Sequence, residues 1–143
     1  MRARDQHGMS ASIEMAILVP ALVLILAVVV GAGRLALARI AVQQWADSAA
    51  RTATLARDAG SAATRARAVV ASDAAGSATQ CRGGGQLAVD TRAFALPVGQ
   101  PGAVEVTVRC AVPLADLLLP GVPGTVLVEA QASSTLDRYR GRS

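Results

Sequence analysis

The chain has no lysine, one histidine and three aromatic residues, Trp45, Phe94 and Tyr139. All 14 positive charges are arginines, and they are scattered along the chain. A nucleic-acid surface needs clustered cations and aromatic faces for stacking, so this composition argues against a nucleic-acid partner. Only two cysteines are present, Cys81 and Cys110. They lack the C-x-x-C spacing of a zinc site, and the lone His7 sits far from both, so neither a metal nor any other cofactor is expected. The acids of the distal part, residues 72–143, are Asp73, Asp90, Glu105, Asp116, Glu129 and Asp137, and they show no catalytic spacing. With no nucleophile beside a base and no acid–base pair, the sequence does not read as an enzyme. The glycine run Gly83 to Gly85 is not followed by Lys-Ser/Thr, which argues against a phosphate loop.

What the chain does have is one long uncharged run, Met15 to Gly33, bracketed by Glu14 and Arg34. As a helix its nineteen residues reach about 28 Å, close to the roughly 30 Å hydrocarbon thickness of a bilayer. Eleven of them are Leu, Ile or Val, each contributing about −0.3 to −0.6 kcal/mol on the insertion scale. The expectation is a transmembrane segment over 15–33. A cleaved secretory signal is the alternative, with Ala36-Leu37-Ala38 as a crude cleavage site, but the run is longer than the usual apolar core of such a signal. Pro20 is expected to kink or loosen the helix, and Ala27 and Gly31 form a small-xxx-small pair that suits close helix approach. Residues 1–8 form a short basic leader expected to stay in the cytoplasm. Twelve arginines follow the span and two precede it, so this orientation rests on the readiness of long distal domains to cross regardless of charge.

From Arg34 to about Ala71 the chain is rich in alanine and amphipathic. On a wheel of about 100° per residue, Arg39, Asp47, Arg51, Arg57, Asp58 and Arg65 share one sector. Leu35, Val42, Trp45, Ala49, Leu55, Ala56, Ala63 and Val70 lie opposite, while Ile40 and Val69 fall on the polar side. The constant phase predicts one long helix over 9–71, with Gly60 and Ser61 as its weak point and Ser61 as a cap if it restarts. Its apolar stripe is expected to pack against the protein's own head, with neighbouring subunits as the other possible cover.

Ser72 to Gln86 reads as a loop. Period-two alternation then predicts strands over 87–92, 104–112 and 126–131, with valines on one face of the second. Turns are expected at 97–102 and 120–124, and Leu114 to Leu119 as a short helical turn or an apolar edge cover. Cys81 and Cys110 read as a disulfide, or failing that as two buried free thiols. A disulfide would place 72–143 in an oxidising compartment. The fold class is α+β: a long N-terminal helix, first transmembrane and then amphipathic, carrying a small three- to four-stranded antiparallel head stapled by one disulfide. The tail from Leu136 to Ser143 is a basic end.

The stretch GMSASIEMAILVPALVLIL, with Gly8 followed by Glu14 at the margin of an apolar helix, resembles the class III signal of type IV pilin-like proteins. In particular it resembles the TadE-like pseudopilins of tight-adherence pili, and AVDTRAF, VTVRCAVPLADLLLPGVPG and LDRYRGR are similar to heads of the actinobacterial type. The resemblance implies cleavage between Gly8 and Met9 by a prepilin-type peptidase. It also implies an assembly role for Glu14, facing a cationic group of a neighbouring subunit. Here five residues, Met9 to Ile13, separate Gly8 from Glu14 where the family usually has four. Cleavage after Gly8 and an uncleaved single-pass protein both remain open. The implied function is that of a minor pilin or pseudopilin in assembly of a tight-adherence pilus used in adhesion. Membrane lipid, pilin-like subunits and tight-adherence assembly proteins would then be its partners, with no nucleic acid. It would be a single-pass protein of the cell membrane with its head outside. The alternative is a single-pass protein outside any filament whose head binds another envelope component.

Overall fold

The structure, a computed structural model, describes residues 7–117 and 123–139. Leader residues 1–6, Leu118 and Leu119, turn residues 120–122 and the tail arginines Arg140 and Arg142 lie outside them. Helix α1 spans His7–Thr54 and runs through Pro20 without a break. Helix α2 spans Ala59–Ala75, and β1 is Gln86–Asp90. A 3-10 turn over Arg92–Ala95 leads to β2, Gly102–Pro113. The four-residue helix α3, Leu114–Leu117, precedes β3, Thr125–Leu136. The three strands form one antiparallel sheet in the order β1-β2-β3. The α+β class is as expected from the sequence, with three strands.

The single helix expected over 9–71 is corrected. The chain leaves the helix at Leu55, and α2 runs back beside α1, bringing Ser72, Asp73 and Gly76 opposite Ala41 and Trp45. Ser61 is not the cap: Asp58 is, in extended conformation, accepting from the Ser61 backbone N–H at 2.8 Å and from its hydroxyl. A side-chain oxygen at that position satisfies an orphan amide of the first turn. Leu55, expected on the apolar side, is exposed because it lies on the turn. The wheel stays in phase because Ala49, Ala56, Ala63 and Val70 are seven residues apart whether or not the helix is continuous, and both helices face the same core.

The loop is shorter than expected. Residues 72–75 complete α2, whose end is capped by the Gly76 amide, donating to Ser72 O and Ala74 O. Thr91 and Arg92 leave the first strand for the 3-10 turn. β2 matches the expected alternation: Val104, Val106, Val108, Cys110 and Val112 are buried, and the residues between them are not. β3 extends five residues beyond its expected end at Gln131, because Ala132 to Leu136 pair with Val106 to Gly102.

One face of the sheet is covered by the helical hairpin and the other carries exposed polar side chains. The core contact is made by Val42, Trp45, Ala46, Ala49 and Ala53 of α1, Ala62, Ala66 and Val70 of α2, and the β2 valines. Alanine on both helices lets the backbones approach closely, so a core this short of aromatics still closes. Thus the amphipathic stripe of α1 is used within its own head. Gly102 marks a close approach: a Cβ there would lie 2.9 Å from Ala93 Cβ and 3.2 Å from Leu96 Cδ1. Gly102→Ala is expected to cost about 1–3 kcal/mol through overpacking, measured as a lower urea midpoint of the detergent-solubilised protein.

Candidate functional site

The site divides into an apolar rod, the joint where it meets the head, and the staple inside the head. In the rod, Leu, Ile and Val leave no polar side chain to satisfy, and the backbone bonds internally, which is what a helix in lipid requires. Its side chains are uncovered, with Met15 at 64% and Leu22 at 67% exposure. Glu14–Thr54 is the helix among the described residues long and apolar enough to cross a membrane, with a mean hydropathy of 2.9 in its apolar window. Only 6% of that window is buried in the protein. A soluble core helix would be covered by its own chain, so the rod is compatible with a single-pass anchor.

Gly8 and Met9 lie in the first turn of α1, and Glu14 follows on the same helix, exposed at the foot of the apolar run. Twenty residues separate Glu14 from Arg34, about 30 Å of helix. The fold leaves Glu14 at the far end of the rod from the head. It brings together Cys81 and Cys110, which form a disulfide with Cα atoms 5.1 Å apart. Cys110 is fully buried beside the valines of β2. β1 pairs with β2 only as far as Arg109. Immediately beyond it the Arg82 N–H donates to Ala111 O at 2.8 Å. The disulfide and this bond therefore take over where β1 stops.

Two contacts of α1 were not legible in the sequence. Arg34 Nη1 donates to the backbone oxygen of Asp116 in α3 at 2.9 Å, tying the base of the head to the end of the apolar run. Gln43 Nε2 donates to Gln131 O of β3 at 3.1 Å. The partners are 82 and 88 residues apart, and no local pattern signals either.

Several other charges are held in structural contacts. Arg109 and Glu129 are cross-strand partners on the solvent face, 3.0 Å apart. The guanidinium holds the Glu129 carboxyl below its ordinary range. The Arg92 side chain, then its backbone N–H, lower Asp90 to about 2. The Ser61 hydroxyl and amide lower Asp58. Each shift comes from a hydrogen bond to the charged form at an exposed site, the pattern of turns and caps and not of a buried reactive acid. No group of three or more His, Cys, Asp or Glu is placed to hold a metal among the described residues.

No curated protein and no solved structure matches the chain. A family model described as TadE-like protein matches residues 9–51. That segment comprises the apolar rod, the Arg34 joint and most of the α1 surface that packs on the head, whereas α2, the three strands and both cysteines lie beyond it. The uncovered apolar helix and its packed continuation are thus the part of this chain that carries the likeness, and residues 9–51 are similar to the TadE-like family.

Proposed function

We propose that this protein is a membrane-anchored structural subunit of the minor-pseudopilin kind, acting in assembly of a tight-adherence pilus. The observation that carries the proposal is the coincidence of the TadE-like match with a helix whose lower half is bare and apolar and whose upper half is built into a head. Such a subunit can be held in lipid and, with the same rod, packed among neighbouring rods. In this reading 1–8 is a cytoplasmic leader removed between Gly8 and Met9, and the disulfide-stapled head from residue 72 onward faces the oxidising side.

Glu14 has a role in the same reading. A carboxylate at the apolar margin is unfavourable unless it snorkels, takes up a proton or meets a cation. A cationic group of a neighbouring subunit supplies that cation when rods assemble.

A second reading is favoured by the five residues between Gly8 and Glu14, one more than pilin-like signals usually have. Under it the protein stays uncleaved and its head binds another envelope component. Intact mass and N-terminal sequencing of envelope-isolated protein separate the two. The expected product starts at Met9 and disappears when the prepilin-type peptidase is removed. A chain that retains Met1 in the presence of that peptidase overturns the pseudopilin reading in favour of the second.

A further inference from the structure

We propose that the head does not stand clear of the bilayer but is seated in it. On this view the lipid-contacting surface of α1 continues past Arg34 to Ile40, and α3 lies in the phospholipid headgroup layer on the head side. The inference rests on α1 being a membrane anchor and adds where the anchor ends and what the base of the head touches.

The first observation is the continuity of one ridge. Leu26, Val30, Gly33, Leu37 and Ile40 follow one another at steps of four, three, four and three residues, the spacing of side chains stacked on one helix face. Leu37 is 66% and Ile40 54% exposed, as bare as Leu26 at 61% within the run. Arg34 lies about 80° to the side of this ridge, and Ala38, Val42 and Ala49 of the head-packing face lie on the far side. The charge at position 34 therefore does not end the apolar surface on the face turned away from the head. That surface ends one turn above Ile40, where Gln44, Asp47, Ser48 and Arg51 take over.

The second observation is the level of the head's base. The Arg34 guanidinium bonds to the Asp116 carbonyl oxygen, so α3 is at the height of Arg34. Gly33 to Ile40 is about 10 Å of helix, whereas the headgroup zone adds only about 5–7 Å to each side of the hydrocarbon. A ridge that stays apolar over that distance, with α3 beside its lower part, puts α3 among headgroups when the hydrocarbon margin falls at Gly33 or Arg34. Arg34 and Arg39 sit at that level with positive charge for lipid phosphates. A cleft of about 290 Å³ between Leu37, Ala38, Val112 and Leu117 opens beside Arg34. The occupant of the ridge is phospholipid, since the ridge is the direct extension of the lipid-facing surface below it.

The native Trp45 provides an internal reference, because it is buried and lies eleven residues above Arg34, about 16 Å. Full-length protein is reconstituted at high dilution in phosphatidylcholine vesicles carrying quenchers near the headgroup or at the chain end. Leu37→Trp and Ile40→Trp are compared with Leu22→Trp and with the native protein. All three altered side chains are exposed, so the substitutions leave the core intact. The emission added by Leu37→Trp and Ile40→Trp is expected to fall about twofold with the shallow quencher, as for side chains at the acyl–headgroup boundary. Leu22→Trp is expected to respond to the deep quencher and Trp45 to neither. If the probes at 37 and 40 are as unresponsive as Trp45 while Leu22→Trp is quenched, the anchor stands and the seated head is wrong. If Leu22→Trp is also unquenched, the anchor itself falls and the inference with it. Emission at 37 and 40 that responds to protein dilution but not to lipid quenchers assigns the ridge to a second copy and equally overturns the proposal.

Discussion

Trp45→Ala is expected to destabilise the head by about 3–5 kcal/mol, so that it unfolds first while the apolar half of α1 stays helical. Trp45 is 3% exposed and is the one large aromatic on the packing face of α1, where its neighbours are largely alanine. Truncating a buried tryptophan costs about 3–5 kcal/mol, because the transfer energy is lost and a cavity remains. Alanines around the gap have no longer side chain to swing into it, so the upper part of that range applies. A small domain has a total stability of only about 5–15 kcal/mol. As denaturant is added in detergent, circular dichroism should first lose its strand contribution and retain the helical signal of the rod. Denaturant midpoints should order as native, Trp45→Phe, Trp45→Ala. A midpoint for Trp45→Ala within about 0.5 kcal/mol of the native protein would show that the face of α1 is not the core contact described here.

Reduction of Cys81–Cys110 is expected to cost the head about 3–4 kcal/mol, the chain-entropy value for a loop of this length. The two cysteines are 29 residues apart, and that loop contains the glycine run and all of β1. Freed, the segment would regain its entropy, and β2 beyond Arg109 would lose the neighbour that Cys81 and Arg82 provide. Unfolding under reducing and non-reducing conditions should therefore differ in midpoint. Hydrogen exchange should accelerate first at residues 77–85 and 110–113. Equal midpoints would mean that the hairpin packing alone holds this segment in place.

Much of the architecture was legible because it is local. The apolar run announces itself by composition, and β2 by valine at every second position with Cys110 in phase. The parity of β2 also placed Cys110 on the core side. The C-terminal half of β3, Gln131 to Leu136, gave no such signal. It is small and polar, and it is extended because Gly102 to Thr107 of β2 present a ladder for it. Likewise Arg109 and Glu129 are twenty residues apart and meet only once the register is set. The hairpin of α1 and α2 was hidden for a different reason. An alanine-rich stripe at seven-residue intervals is the same whether the helix continues or turns back, and the turn at Leu55 to Asp58 contains no proline or glycine.

Sequence by itself determined the uncharged rod and the alternation of β2, because each depends on residue type and short spacing. Tertiary structure alone decided where the helix doubles back, which carbonyl receives Arg34 and how far β3 extends. Those outcomes turn on contacts between residues distant in the chain, whose energies exist only after the elements have packed.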